Sequence, residues 1–201
     1  MGNIVGNRFR PQNEKESNRT QNLLLKRISK SEEPERSGGK SVPVKEKIIL
    51  RVDDRGPHSQ VLIGWVFRLG IKRVVVCKEG KGSISAPNHF LPGGFSLSFL
   101  SPQEILKNKS KLSEGKGKVL IISYSLNSAY QLIKGGLGVK ELNIGGLHYR
   151  KGKKRLLDFV HFGKRDILIL EKIISLGVRI FAQENLDGPR YNLKPPLRID
   201  I

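Results

Sequence analysis

The stretch KIILRVDDRGPHSQVLIGWVFRLGIKRVVVC, residues 47–77, changes its apolar period twice. KIILRVD, residues 47–53, is a short run dense in β-branched residues and reads as a buried strand. From residue 61 the apolar positions fall at Val61, Leu62, Trp65, Val66 and Leu69, the spacing of one helix face, and Gly70 closes the run. RVVVC, residues 73–77, is again a strand. A strand, a helix and a strand in so short a span predict a crossover unit with parallel strands.

The same alternation continues outward. FSLSFL (95–100), VLIIS (119–123), VKELNI (139–144) and VRIFAQ (178–183) read as strands. Ser101, Pro102 and Glu104 make a helix start, with a hydroxyl cap, a proline at the first helical position and a carboxylate at the third. SLNSAYQLIKGG (125–136) predicts a helix closed by glycine, and a last helix runs from Asp166 to Leu176. CKEGKGSISAPNHFLPGG (77–94), with Gly, Pro and Ser throughout, reads as a loop. Near-continuous apolar strands alternating with helices predict an α/β fold, a mostly parallel sheet with helices on both faces.

Residues 46–201 are expected to form this single domain. Residues 1–45 are rich in Asn, Glu, Ser, Lys, Arg and Gly, hold one apolar patch at Leu23–Leu25, and read as a disordered basic tail. The chain carries 37 Lys and Arg against 18 Asp and Glu, a net +19; residues 1–47 hold 11 and 6 of them, which leaves 26 against 12, or +14, for the rest. The surplus therefore belongs to the expected domain and favours phosphorylated or polyanionic partners. The lysines and arginine at 151–155 have no aromatic residues interleaved, which argues against nucleic acid. A single cysteine, Cys77, excludes an intrachain disulfide framework and a multi-thiolate metal site. His58, His89, His148 and His161 show no paired ligand spacing, so no metal is expected. No apolar run approaches the roughly 18 residues that span a bilayer, and the N-terminus lacks the apolar core of a secretion signal, which places the chain in the cytoplasm.

In a parallel sheet, ligands meet the loops at the carboxyl ends of the strands. RVDDRGPHSQ (51–60) lies there, and packing alone does not call for two carboxylates, two guanidiniums and an imidazole in eight residues. His58 enters a helix whose unpaired amides and dipole favour an anion, and its neutral imidazole is a nucleophile. Arg55 can fork onto a phosphoryl group. Asp53 and Asp54 can hold that arginine or accept a hydrogen bond from the imidazole and set its tautomer. The constellation suits phosphoryl transfer through histidine, in which positioning and charge neutralisation supply most of the catalysis. NIGGLHYRKGKKR (143–155) follows another strand, and Gly145 and Gly146 allow a phosphate to approach the backbone. Trp65 sits on the apolar stripe of its helix and reads as core rather than as a sugar platform.

The run R-V-D-D-R-x-x-H-x-Q-V with its Trp-containing helix, together with VKELNIGGLHYRKGKKR (139–155), resembles the IIB subunits of the mannose, fructose and sorbose class of bacterial sugar phosphotransferase systems. The likeness spans about residues 46 to 190. It implies a phosphocarrier that accepts a phosphoryl group on His58, at Nδ1, from a phosphorylated IIA domain and passes it to a sugar held by membrane subunits IIC and IID. Asp53, Asp54 and Arg55 fall on the family's flanking site residues and Gln60 on its glutamine. No cofactor is implied, the cytoplasmic domain is recruited to the membrane by its partners, and a homodimer stays open. Gly56 and Pro57 stand where the family has two apolar residues, and Ser59 where it has a small glycine; the Ser59 hydroxyl is expected to cap the helix or meet the phosphoryl group. A regulatory or degenerate IIB-like module without sugar transfer is the alternative.

Overall fold

The computed structural model describes residues 47–79, 94–114 and 116–194, and the backbone of residues 89–91. The expected tail at 1–45 and most of the expected loop at 77–94 lie outside the described residues. Strand β1 (Ile48–Asp53) is wholly buried and forms the middle of the sheet with β5 (Lys118–Ser123) on one side and β6 (Glu141–Gly146) on the other, both parallel to it. Beyond β5 come β2 (Ile71–Cys77) and β4 (Phe95–Leu100), and beyond β6 comes β9 (Arg179–Ala182), all parallel. Two short antiparallel strands, β3 (His89–Leu91) and β10 (Tyr191–Leu193), end the order β10-β9-β6-β1-β5-β2-β4-β3.

Alternate residues of β1 serve different faces. Ile48, Leu50 and Val52 join the larger core, under α2 (Pro102–Lys107), α3 (Lys109–Ser113), α4 (Leu126–Lys134) and α5 (Lys164–Ser175). Ile49 joins a smaller core under α1 (Gln60–Phe67), which contributes Val61, Trp65 and Val66. Helices thus lie on both faces, as the strand pattern requires. The chain leaves β1 toward one face and leaves β5 toward the other, a switch of direction at which such sheets ordinarily take their ligands. The Ser101 cap forms in full: its hydroxyl accepts from the Glu104 amide, and Glu104 accepts from the Ser101 amide at 2.7 Å.

Several elements depart from the sequence expectation. The run at 139–144 forms its strand over 141–146, so Gly145 and Gly146 end β6 rather than opening a loop. Beyond β6, β7 (Lys154–Leu157) and β8 (Val160–Phe162) pair as a hairpin that the sequence reading did not include. Its charged residues conceal it: β7 is KRLL, and only its last residue is buried. Residues 89–91 add the edge strand β3 where the loop was expected. The first helix is wound as a π-helix, a form that gathers near functional sites.

Candidate functional site

The turn after β1 is built around Gly56. Its φ of +71° suits glycine, and an ideal β-carbon there would stand 2.6 Å from the ring of Tyr124, which follows β5. The Gly56 amide donates to the Asp53 carbonyl and the His58 amide to that of Gly56, both at 3.0 Å. The Gly-Pro pair is therefore a tight turn seated under an aromatic ring, and it delivers His58 to the head of α1. The His58 carbonyl accepts from the amides of Val61 and Leu62, so the first turn of α1 begins on the histidine itself. Ser59 has helical dihedrals and its hydroxyl makes no capping bond, so of the two roles expected of it the cap is not made, because a cap needs extended backbone at that residue.

Asp53 is the centre of the arrangement. Its side chain is wholly buried, and it accepts from Arg51 Nη2 at 2.9 Å, from Arg55 Nε and the Arg55 amide at 3.2 Å, and contacts His58 Nε2 at 3.1 Å. Burial alone raises the Asp53 carboxyl, but the Arg51 charge, with hydrogen bonds from Arg55, His58 and Arg51, overcomes it and holds the group below the ordinary carboxylate range. An ionised carboxylate only accepts, so the ring nitrogen facing it carries the proton. His58 therefore keeps its Nε2 proton on Asp53 and leaves Nδ1 with a lone pair, on a side chain 20% exposed. In the neutral ring the contact thus fixes the tautomer, with the Nδ1 lone pair free.

Arg51 holds Asp53 from beneath. The arginine is fully buried in the middle of the sheet, where its two terminal nitrogens donate to Asn143 Oδ1 at 2.6 Å, the Gln183 carbonyl at 3.1 Å, the Glu184 carbonyl at 3.0 Å and Asp53. The guanidinium lies 4.8 Å from the Trp65 ring centroid. Burial lowers its pKa against the pull of Asp53, yet a guanidinium remains a cation. It needs the bare backbone of Gly145: a β-carbon there would stand 1.8 Å from Arg51 Cζ. The register of β1 against β6 slips at this point, Val52 pairing with Ile144 and Asp53 with Gly146, so Gly145 is the extra residue of a bulge.

The residues singled out in the sequence divide accordingly. Asp53, Arg55, His58 and Gln60 come together, Gln60 Oε1 accepting from Arg55 Nη1 at 3.3 Å. Asp54 turns away to His148, contacting its Nδ1 at 2.6 Å, and so holds neither Arg55 nor His58. Where a β-carbon of Gly145 would stand lies the Arg51 guanidinium, whereas the same position at Gly146 borders Asp53, Arg55 and His148. Arg51, counted in the sequence as one of the two guanidiniums of the cluster, supports the site from below, and Asn143, Tyr124, Gln183 and Glu184 support it without having been singled out for it. For Asn143 and Gln183 a signal was present: a polar residue inside or at the end of an apolar strand calls for a buried partner. Cys77 is buried, its thiol pushed up to about 12 by burial and by the Glu79 charge, and offers no nucleophile. Among the described residues no group of three His, Cys, Asp or Glu could hold a metal ion, and no helix is long and apolar enough to cross a membrane.

Comparison with known proteins gives a consistent result. The profile of the family described as the PTS system sorbose subfamily IIB component matches residues 47–197. The N-acetylgalactosamine-specific phosphotransferase enzyme IIB component 2 of Escherichia coli (strain K12) is 26% identical over 150 residues, 73% of this chain and 95% of that protein. The sorbose-specific EIIB component of Klebsiella pneumoniae is 23% identical over 149 residues, 72% of this chain and 91% of that protein. The crystal structure of the IIBSor domain of the sorbose permease from Klebsiella pneumoniae superposes with a TM-score of 0.63 at 22% identity, covering 73% of this chain and 93% of that one, a likeness of fold.

Proposed function

The chain belongs to the sorbose subfamily of phosphotransferase-system IIB components, and from that premise we propose that His58 is its phosphoacceptor. The family's part in sugar uptake is to take a phosphoryl group from a IIA domain and pass it toward the sugar, in a system completed by the membrane components IIC and IID. In this reading the Nδ1 lone pair of His58 attacks phosphorus as the bond to the donor's histidine nitrogen breaks. Asp53 keeps the proton on Nε2 and stabilises the positive charge that the ring acquires. Arg55, three residues before His58 and hydrogen-bonded to the same carboxylate, offsets the charge of the phosphoryl oxygens. In the second step a sugar hydroxyl attacks the same phosphorus, the Nδ1–P bond breaks, and the hydroxyl proton leaves to solvent or to a base on the sugar-bearing partner. The chain is then a protein-phosphohistidine–sugar phosphotransferase acting at the cytoplasmic face of a membrane.

The observation that carries this reading is the contact between His58 Nε2 and the buried Asp53 carboxylate, because it supports a free lone pair at Nδ1. Incubation with the phosphorylated general carrier and a compatible IIA domain should place one acid-labile, base-stable phosphate on His58. His58→Ala should abolish the label, and variants of His89 and His161 should retain it. A wild-type chain left unlabelled where an ordinary IIB component is labelled would overturn the assignment.

A further inference from the structure

The site edge carries a second imidazole on a second carboxylate, and the transfer chemistry above does not use it. His148 follows β6; its backbone amide donates to Asp54 Oδ2 at 2.8 Å and its Nδ1 stands 2.6 Å from Asp54 Oδ1. Two contacts to one carboxylate fix both the main chain and the ring. The Asp54 side chain is 9% exposed and that of His148 46%, so the pair is anchored at the acid and open at the imidazole. Nothing in the packing requires an anchored ring at so open a position.

Gly146 fixes where that ring lies. The point where a Gly146 β-carbon would stand is 3.4 Å from His148 Cε1, 3.4 Å from Arg55 Nη2 and 3.1 Å from Asp53 Oδ1. The Asp53–Arg55 arm and the Asp54–His148 arm therefore meet over a backbone with no side chain between them. With Nδ1 engaged by Asp54, the nitrogen left on the ring is Nε2, bonded to the same Cε1 that borders Gly146.

Resting on the reading of His58 as phosphoacceptor, we propose that His148 is a further catalytic contact for the phosphoryl group, donating from Nε2 to an oxygen that Arg55 holds from the other side. The contact has both ring nitrogens donating, Nδ1 to Asp54 and Nε2 to the phosphoryl oxygen. No covalent bond forms to the ring. Asp54 acts as its positioning residue, as Asp53 does for His58, and Gly146 keeps the space between Arg55 and His148 free of a side chain.

The test uses the full chain, a phosphorylated IIA domain and three variants, His148→Ala, His148→Gln and His148→Lys. The expected results for His148→Ala are an unchanged melting transition, label still confined to His58, and a rate of labelling lowered by about tenfold, the size of one charge-assisted contact. The phosphorus NMR shift of the phosphohistidine should move in His148→Ala, and the cation of His148→Lys should restore more of the rate than the neutral amide of His148→Gln. A merely structural histidine would leave both readouts unmoved. Wild-type labelling at His58 with His148→Ala equal to it in rate and spectrum overturns this inference alone. Absence of label from the wild-type chain overturns this inference together with the assignment of His58.

Discussion

At Asp53, one carboxylate with no exposed surface answers two guanidiniums and an imidazole. All three partners, Arg51, Arg55 and His58, lie within five residues of it in the chain, so their grouping could be read from RVDDRGPH directly. What holds Arg51 in place could not. Arg51 reaches Asn143 and the Gln183 carbonyl across 92 and 132 residues, and nothing local distinguishes a buried arginine that anchors a site from a charged residue at the end of a strand. For the same reason Asp54 could be placed beside the site but not assigned to His148, 94 residues away. The short-range contacts of Arg55 set the prediction at this scale. Its Nε is on Asp53 and its Nη1 on Gln60, with Glu184 at 3.7 Å, so its side chain is held in place and still 30% exposed to a ligand. Arg55→Ala should lower the rate of His58 phosphorylation by about 10²-fold or more with the fold intact, as removal of a donor aimed at the transferring charge does. Arg55→Lys should recover only part of it, since a point charge lacks the planar fork. Single-turnover labelling from phosphorylated IIA measures both; an alanine variant that labels at the normal rate would make Arg55 a structural residue.

Among the elements, β6 does more than its strand pattern suggests. Its apolar residues made it legible as a strand, but its end was placed two residues early, because a Gly-Gly pair ordinarily marks a turn. Here the pair continues the strand through a bulge, and the missing side chain at Gly145 is the space that the Arg51 guanidinium fills. Bulges of this kind re-aim strand ends beside active sites. The consequence is specific: Gly145→Ala puts a methyl group where Arg51 Cζ stands, and the guanidinium has to leave four acceptors or the strands have to part. Breaking a buried, hydrogen-bonded ion pair costs about 3–5 kcal/mol, and Gly145→Ala should lose stability of that order in urea titrations. Gly146→Ala should cost less, its nearest neighbours being 3.1 Å or more away and including the exposed ring of His148. Equal and small losses for the two would remove the argument that Gly145 exists for Arg51. The hairpin β7–β8 was illegible for a different reason, since two charged residues at the start of a four-residue strand leave no alternation to detect.

On the scale of the whole molecule, the site is assembled from the carboxyl ends of β1, β5, β6 and β9, which deliver Asp53, Tyr124, Gly146 and the Gln183–Glu184 carbonyls to one edge. The parallel sheet that predicts such an edge was legible from the alternation of strands and helices, whereas the order of its strands, with β5 inserted between β1 and β2, depends on long-range pairing that no local pattern encodes. The ion pair of Asp53 with Arg51, which in turn reaches β6 and the carbonyls after β9, also links the site to global stability. Asp53 is held below the ordinary carboxylate range in the folded chain, mainly by Arg51 against the opposing effect of burial. Its folded form therefore binds fewer protons than the unfolded chain as the pH falls through that range, and stability declines in that direction. The contribution is complete at pH values above the unfolded carboxylate's value of roughly 4 and is lost as the pH drops toward the lower folded value. Asp53→Asn removes this titration while keeping the shape of the side chain. Denaturation of both chains from neutral to acid pH should show the wild type ahead by its full margin near neutrality and the margin narrowing only below about pH 4. A margin that stayed constant through that range would mean that the Asp53 charge does not hold the strand ends together, and that Arg51 is retained there by its carbonyl acceptors and Asn143 alone.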